Sequence, residues 1–350
     1  MTDHGSILID HTEQGKVAAL WQNGRLEDVL VDPPADDPTP RLGAIYMARV
    51  GRPMKGINGC FVELGDGQTG FLRNPKGLRP GAHILVQVTG QTEDGKAPPV
   101  SQRLMFKGQL AIVTPGAAGL NVARSIRDEE TRAVLGDVAR QAMEGAAQGL
   151  GLILRTAAAD AEPDNVLDEV ADLRRLAEAV LADDGKAACL LVDAPNAAEQ
   201  ALRDWPAAEV IDEAGAFERF DIWSEIARLT CDDVPLKAGG SLCIQPTRAL
   251  VAIDVNTGAD LTPAAALKTN LAAARDIPRQ LRLRGLGGQV IVDFAPMTKR
   301  ERREIEAGLR AGFKADTIET SLVGWTQLGL FELQRKKERR PLAECIGDSL

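Results

Sequence analysis

The sequence predicts a multidomain protein of mixed α/β and α+β class, with a small β-barrel in its first third. Three observations support this prediction. The chain has 350 residues, which is more than one ordinary hydrophobic core requires. Short strand patterns punctuated by glycine run from Gly43 to about Arg103, as expected for a small barrel. Farther along the chain, two apolar strands that each end in aspartate are separated by a long helix.

The elements around the barrel follow from periodicity and turn residues. Two strands are predicted before it, at Ser6–Asp10 and Val17–Trp21, followed by a link rich in proline and aspartate over residues 32–40. After the barrel, helices and strands are predicted in turn: helix 122–150, strand 152–154, helix 161–183, strand 188–192 and helix 196–205.

The last region opens at Gly239-Gly240 and contains the strands Leu250–Asp254 and Val290–Asp293. The helix between these strands is predicted to begin at Thr262-Pro263, because threonine is a good N-cap and proline suits the first helical turn. Another helix is predicted to begin at Thr298, three residues before a glutamate that completes a capping-box pattern.

Composition places the chain among folded proteins, with 44% hydrophobic and 26% charged residues. No apolar run approaches the roughly 20 residues needed to span a bilayer. The polar N-terminal residues 1–6 lack the features of a signal peptide. The cysteines are odd in number, and no two form a C-x-x-C pair, so neither a disulfide framework nor a structural zinc site is indicated. We therefore expect a reducing, cytoplasmic location. The five cysteines are Cys60, Cys189, Cys231, Cys243 and Cys345.

Charge is distributed unevenly along the chain. The net charge is −9, yet residues 264–340 hold 16 Lys and Arg against 9 Asp and Glu, a local balance of +7 that leaves −16 for the rest. A basic segment in an acidic protein is compatible with a binding site for a polyanion. Ordinary charged helix faces would give the same count, so charge alone leaves both interpretations open.

The barrel strands place two aromatic side chains on the solvent side. In the strand Gly59–Leu64, aliphatic residues alternate with Phe61 and Glu63, and the same alternation separates Leu72 from Phe71. Exposed rings on an OB-like barrel can stack on unpaired bases, and Lys96 on the following turn could contact phosphate. Alternatively, both rings cap the core or pack against a neighbouring domain.

Asp254 and Asp293 close two apolar strands, where a carboxylate is costly unless it is solvated, paired or bound to metal. On adjacent strands they would form an oxygen-rich site suited to Mg²⁺. Asn256 follows two residues after Asp254 and so projects to the same side. All three histidines lie within the first quarter of the sequence, which favours metal-activated water over histidine catalysis. The alternative is that both aspartates are helix caps or turn formers.

The long helix carries a basic stripe made of Lys268, Arg275, Arg279 and Arg282. The stripe would line a channel for RNA or merely face water, and its spacing does not decide between the two. Pro278 falls in the interior of the same helix and predicts a kink.

An ordered series of segments runs from the middle to near the end of the chain: Ala249–Gly258 (ALVAIDVNTG), Lys268–Leu271 (KTNL), Arg279–Gly288 (RQLRLRGLGG), Val290–Phe294 (VIVDF) and Leu328–Lys336 (LGLFELQRK). Together these segments resemble the ribonuclease E/G family, and a weaker resemblance runs back to Ile7. The resemblance implies a split RNase H-like domain with an inserted OB barrel of the ribosomal-protein S-one type and a 5′-end sensor, followed by a DNase I-like catalytic domain. The implied bounds are 1–42 and a shortened 187–228 for the RNase H-like parts, 43–103 for the barrel, 104–186 for the sensor and 229–350 for the catalytic domain.

The resemblance also implies an activity, namely Mg²⁺-dependent cleavage of single-stranded RNA to 5′-phosphate and 3′-hydroxyl ends in ribosomal RNA processing and messenger RNA decay. Asp254 and Asp293 would hold the Mg²⁺, and Asn256 would orient the attack or the scissile phosphate. The positions matching the family's RNA-contacting barrel residues are Phe61, Phe71 and Lys96. Those matching its sensor of the 5′ monophosphate are Gly108, Ile112, Arg132, Arg155 and Thr156.

The sequence departs from the family pattern in three places. The zinc-link, a C-P-x-C segment, is absent, so we expect a short form without zinc-linked assembly, although a homodimer stays open. About thirty residues are missing near Phe217–Phe220, and the loop after Asn256 is shorter. Two other classes of function are therefore kept open: an RNA-binding regulator that has lost turnover, and an OB scaffold that binds protein partners.

Overall fold

The computed structural model describes residues 5–12, 15–54, 56–91, 96–206 and 209–346. In chain order the strands of these residues are β1 (Ser6–Thr12), β2 (Gly15–Gln22), β3 (Arg25–Val31), β4 (Ile45–Met54), β5 (Gly59–Gly65), β6 (Gln68–Arg73), β7 (His83–Val88), β8 (Pro99–Ser101), β9 (Phe106–Lys107), β10 (Ala111–Pro115), β11 (Gly119–Val122), β12 (Leu150–Leu154), β13 (Cys189–Val192), β14 (Glu209–Asp212), β15 (Asp233–Pro235), β16 (Ser241–Pro246), β17 (Val251–Asn256), β18 (Gly288–Asp293), β19 (Thr320–Trp325) and β20 (Phe331–Arg335).

The helices of the same ranges are α1 (Glu129–Ala142), α2 (Pro163–Ala182), α3 (Ala197–Asp204), α4 (Ala216–Arg219), α5 (Ile222–Leu229), α6 (Pro263–Leu283), α7 (Lys299–Ala315) and α8 (Leu342–Ile346), with a 3₁₀ turn at Thr156–Asp160. The chain divides into two compact units, one formed by residues 1–37 and 207–350 and the other by residues 38–206. No helix in the described ranges is both long and apolar enough to cross a membrane.

The first unit contains a four-stranded sheet in the order β14-β1-β2-β3, in which β14 is parallel to β1. The short helices α4 and α5 pack on this sheet through the fully buried Phe217, Ile222 and Ile226. Asp10 at the end of the predicted first strand accepts hydrogen bonds from the backbone N–H groups of Gly215 and Phe217. These donors precede or begin α4, so a buried carboxylate anchors that helix to β1.

The same unit contains a six-stranded sheet in the order β15-β16-β17-β18-β20-β19. Within this sheet only β17 and β18 pair in parallel, because the crossover helix α6 connects them. Alternate residues of β17 and β18 pack against α6 and α7 in one apolar core. The predicted N-cap of Thr262 and the capping box of Thr298 are both present.

α6 and α7 approach each other closely where α7 carries glycine. A Cβ added at Gly312 would lie 3.0 Å from Cγ of Pro278 and 3.5 Å from the carbonyl oxygen of Ala274. Ala274 is the residue whose carbonyl loses its helical donor when residue 278 is proline. The helix nevertheless continues through Pro278 to Leu283, so the proline does not end it.

Two of the four residues of the predicted basic stripe, Arg279 and Arg282, form hydrogen bonds within this unit. Arg279 donates to the carbonyl of Leu26 at 2.7 Å, and Arg282 donates to the carbonyl of Glu27 at 2.9 Å. Both acceptors lie on β3, so these arginines attach α6 to the four-stranded sheet. Lys268 and Arg275 are exposed, which leaves only these two members of the stripe facing water.

The second unit contains the predicted barrel. The strands β4, β5, β6, β8 and β7 form a closed ring of five, in which β7 pairs with β4, and β13 adds to the first residues of β4. Cys60, Val62 and Leu64 point into its core, as the alternation predicts. This closed five-stranded barrel and the mixed α/β composition confirm the coarse fold class and fit an OB-like domain.

A separate sheet in the order β11-β12-β10-β9 packs against α1 and α2. The predicted helix over residues 122–150 was too long, since α1 covers only Glu129–Ala142. Residue 122 belongs to β11 and residue 150 to β12. Gly145 and Gly149, with φ of 68° and 91°, carry the chain out of the helix through conformations that favour glycine.

Candidate active site

Asp254 and Asp293 lie side by side on the parallel strands β17 and β18. They are direct partners in the register, and both are exposed, while the flanking Ile253 and Val292 are buried. Neighbouring strands are about 4.8 Å apart, and residues opposite each other in a ladder point to the same face. The two carboxylates therefore stand next to each other on the polar face of the six-stranded sheet.

Asn256 extends this group by one step along β17. It is exposed on the same face as Asp254 and pairs across the ladder with Ser241. Its side-chain oxygen accepts a hydrogen bond from the N–H of Gly258 at 2.9 Å. This bond fixes the orientation of the Asn256 amide at the start of the following loop. The NH₂ group of the same amide is then the part that can donate a hydrogen bond.

The donor set suits a hard divalent cation. Mg²⁺ is usually bound by one or two carboxylates and keeps several waters, which matches two adjacent exposed aspartates. No cluster of three or more His, Cys, Asp or Glu side chains placed to hold a metal occurs in the described ranges.

Cys243 lies opposite Asp254 on β16, and Asp233 lies opposite Cys243 on β15. Burial raises the pKa of the Cys243 thiol, and the nearby carboxylates of Asp233, Asp232 and Asp254 raise it further. The thiol is therefore less acidic than that of an ordinary cysteine.

Two buried polar side chains of α6 contact the ends of the acid-bearing region. Asn270 binds both main-chain polar groups of Ala295, and Thr269 binds the carbonyl of Gly239. Both residues fall in the KTNL segment of the resemblance, yet sequence reasoning gave them no role. The signal that could have found them is a pair of adjacent polar residues in a helix whose inward residues are mostly apolar, Gln280 being the other polar one.

On the barrel, Phe61 and Phe71 are direct partners across β5 and β6. Phe61 is 45% exposed, Phe71 is half-buried, and their rings meet edge to face with centroids 5.6 Å apart. A Cβ at Gly59 would lie 2.4 Å from Cζ of Phe71, so glycine is needed where that ring lies. Lys96 is exposed, while residues 93–95 of its predicted turn lie outside the described residues.

Arg155 and Thr156 directly follow β12. The Arg155 guanidinium donates to the carbonyl oxygens of Gly108 and Arg203 and to the carboxylate of Asp204. The Thr156 hydroxyl lies 2.7 Å from that of Ser125. The structure thus brings Gly108, Arg155 and Thr156 together at one end of the four-stranded sheet of the second unit.

Three cationic side chains contact the carboxylate of Asp204 at this end of the sheet. Lys107, Arg155 and Arg203 contact its carboxylate at 2.7, 3.0 and 2.9 Å. Burial acts to raise the pKa of Asp204, but Arg203 and Lys107 outweigh it and hold the pKa at about 2. The three cations exceed the charge of Asp204, and a second carboxylate, that of Glu169, lies beside Gly108 and accepts from the N–H groups of Gln109, Leu110 and Ala111.

Ile112 and Arg132, the other two predicted sensor residues, contact different parts of the second unit. Ile112 is half-buried on β10 and pairs with Lys107 on β9. Arg132, from α1, donates to the carbonyls of Ala123 and Ile126 at 3.0 and 2.9 Å, so its guanidinium holds the turn after β11. Arg124 within that turn is exposed. Because β11 is parallel to β12, Arg124 lies at the same end of the sheet as Thr156.

Comparison with known proteins gives a consistent result. A family model described as "Ribonuclease E/G family" matches residues 105–212 and 206–338. A protein named "Ribonuclease E" from Nostoc sp. is 27% identical over 395 residues, covering 96% of this chain and 56% of that protein. "Ribonuclease E" from Synechocystis sp. is also 27% identical, with 96% and 57% covered. "Ribonuclease G" from Escherichia coli strain K12 is 27% identical over 404 residues, with 97% and 81% covered. The chain thus spans little more than half the length of the two ribonuclease E relatives.

Proposed function

This chain belongs to the ribonuclease E/G family, and from that premise we propose that it is a metal-dependent endoribonuclease that cleaves single-stranded RNA. The observation that carries the proposal is the pairing of Asp254 with Asp293, two exposed carboxylates in register on adjacent parallel strands. The proposed substrates are ribosomal RNA precursors and messenger RNA in the cytoplasm. The proposed products carry 5′-phosphate and 3′-hydroxyl ends.

Each residue of the polar face has its own role in the proposed reaction. Asp254 and Asp293 hold the divalent cation, and Mg²⁺ is the ion that two adjacent carboxylates with retained waters fit best. The bound ion would supply charge neutralisation at the phosphate and a water of lowered pKa. The NH₂ group of Asn256 donates to a non-bridging oxygen of the scissile phosphate, because its side-chain oxygen is engaged by Gly258. A donor at that oxygen would stabilise the charge that develops in the transition state.

The finer domain assignments are part of the same proposal. Residues 1–42 and 187–228 would form a shortened RNase H-like domain, residues 43–103 an OB barrel, 104–186 a 5′ sensor and 229–350 a DNase I-like catalytic domain. The closed barrel and the parallel β17–α6–β18 crossover support the second and last of these assignments. A homodimer without a zinc-link is compatible with the proposal and is not required by it.

Removal of the metal tests the proposed activity. Purified protein with a 5′-monophosphorylated single-stranded RNA is expected to cleave in Mg²⁺, to stop when EDTA is added and to resume when Mg²⁺ is restored, since the two carboxylates alone do not activate water. Denaturing gels of end-labelled RNA measure the cut. Tight RNA binding with no cut in any metal would instead support a binding regulator, and neither binding nor cleavage would support a scaffold for protein partners.

Replacing Phe61 with alanine is expected to weaken RNA binding by about 5- to 150-fold, because one stacked base contributes about 1–3 kcal/mol. Fluorescence anisotropy with labelled RNA measures the change. Phe61→Tyr is the matched control, since it keeps the ring and the edge-to-face contact with Phe71, and it should bind like wild type. Equal affinity of the alanine variant would remove Phe61 from the RNA surface.

Replacing Arg155 with alanine is expected to reduce the rate advantage of 5′-monophosphorylated over 5′-hydroxyl RNA while leaving cleavage of both. The physical reason is that a guanidinium fork beside a threonine hydroxyl recognises a terminal phosphate dianion. Cleavage rates on the paired substrates provide the ratio. Arg175→Ala, on the exposed side of α2, serves as the control and should keep the wild-type ratio. An unchanged ratio in Arg155→Ala would show that this pocket does not sense the 5′ end.

A further inference from the structure

The end of β18 that carries Asp293 is supported by the sheet on one side only. Pairing between β18 and β20 ends at Val292 and Phe331, whereas pairing with β17 continues to Asp293. Beyond Asp293 the chain leaves the sheet. The position of the Asp293 carboxylate therefore depends on what holds the residues that follow it.

Asn270 of α6 provides that support. Its side chain is fully buried, and its amide NH₂ donates to the carbonyl of Ala295 at 2.9 Å, while its side-chain oxygen accepts from the N–H of Ala295 at 3.0 Å. Ala295 is itself buried and lies two residues after Asp293. A two-point bond to a single residue fixes both its position and its orientation, and breaking it would leave buried polar groups unpaired.

Thr269, the preceding residue of α6, acts in the same way beside Asn256. Its hydroxyl donates to the carbonyl of Gly239 at 3.3 Å. The next residue, Gly240, lies so close to the end of β17 that a Cβ there would be 2.2 Å from the carbonyl oxygen of Asn256. Two consecutive residues of one helix thus hold the backbone at both strand ends of the proposed site.

We propose that Asn270 and Thr269 are positioning residues for RNA cleavage, which set the spacing of Asp254, Asp293 and Asn256 from the covered side of the sheet. The proposal rests on the proposed metal site. Neither residue lies on the polar face, because α6 packs against the opposite, apolar face. Asn270 sets the position of the metal-binding carboxylate of Asp293 through its bonds to Ala295. Thr269 sets the position of the Asn256 amide through Gly239 and through Gly240, which packs on Asn256.

The test separates positioning from stability. Asn270→Leu keeps the size of the side chain and removes both hydrogen bonds. Binding of Mn²⁺ in the absence of RNA, followed by electron paramagnetic resonance, is expected to weaken about tenfold or more, as when a partner that orients a metal ligand is lost. The rate at saturating Mg²⁺ should fall with it, while KM for RNA stays near the wild-type value. Leu281→Ala, fully buried on the same helix, is the control that destabilises the same core without touching Ala295.

The proposal is overturned if Asn270→Leu binds Mn²⁺ as tightly as wild type, or if Leu281→Ala weakens Mn²⁺ binding equally at the same loss in Tm. Thr269→Val, which keeps the side-chain shape, is the second variant should Asn270→Leu not fold. It should lower kcat without changing Mn²⁺ affinity, and an unchanged kcat refutes the positioning role. If wild type and Asp293→Asn show the same Mn²⁺ binding, the metal site itself is wrong and the proposal falls with it.

Discussion

Replacing Asp293 with asparagine is expected to lower the rate of RNA cleavage by about a thousandfold or more, an effect that only replacement of its partner Asp254 should match. Asparagine has nearly the same shape and the same place in the strand, so β18 and the core beneath it should fold as before. What is lost is the negative charge that pairs with Asp254 to hold a divalent ion.

The measurement is a single-turnover rate at saturating enzyme over a range of Mg²⁺ concentrations, with RNA affinity measured separately. Asp254→Asn should fall as far, and the double variant should fall little further, because groups that act as one unit are not additive. Glu332→Gln is the matched control. It removes a partly exposed carboxylate from β20 on the same face of the sheet, opposite Ile291 rather than Asp293, and should cleave at close to the wild-type rate.

Cleavage by Asp293→Asn at more than a tenth of the wild-type rate would contradict the metal-holding role. Equal losses in Asp293→Asn and Glu332→Gln would mean that the polar face responds to charge in general rather than to a defined pair. Unimpaired binding of RNA by an inactive Asp293→Asn would support the assignment, since the barrel and the sensor do not depend on that carboxylate.

Asp254 and Asp293 show how much of the site can be predicted from the sequence. The apolar runs Leu250–Asp254 and Val290–Asp293 predict two strands, and the acid at each strand end predicts a site. The register that sets Asp254 opposite Asp293 is not contained in either segment. It depends on the length and docking of α6, which joins the strands through packing spread over about ten residues.

Other features of the site depend on partners that are distant in sequence. The spacing of Arg279 and Arg282 predicts one helical stripe, but whether such a stripe faces RNA, water or protein depends on β3, some 250 residues earlier. In the same way, Arg155 can be selected by its pattern, whereas Asp204, which occupies one edge of its guanidinium, lies 49 residues later on α3. The predicted helix 122–150 also overextended α1, and most of the excess lies in the turns between β11 and α1 and between α1 and β12.

Asp316 lies at the centre of a buried charge network in the first unit. Its carboxylate has no exposed surface, and it contacts Arg282 of α6 and the fully buried Arg335 of β20, the latter at 3.0 Å. Arg335 also donates to the hydroxyl of Thr320 at 2.9 Å. The carboxylate thus offsets part of the positive charge of two guanidinium groups that the apolar surroundings would otherwise disfavour: burial lowers the pKa of Arg335, and Asp316 offsets part of that effect.

Asp316→Asn is expected to reduce the free energy of unfolding by about 3–5 kcal/mol, because removal of one partner leaves a buried charge uncompensated. Urea unfolding followed by circular dichroism measures the loss, and an unchanged m-value would place it in the folded state. Glu306→Gln, which breaks the exposed pair with Arg310 on α7, is the control and should change stability by less than about 1 kcal/mol. A similar small loss for both variants would show that water reaches the Arg335 pocket and screens it. In that case the buried ion pairs would contribute little to stability, and α6 would be held by apolar packing and by the hydrogen bonds of Arg279 and Arg282 to the carbonyls of β3.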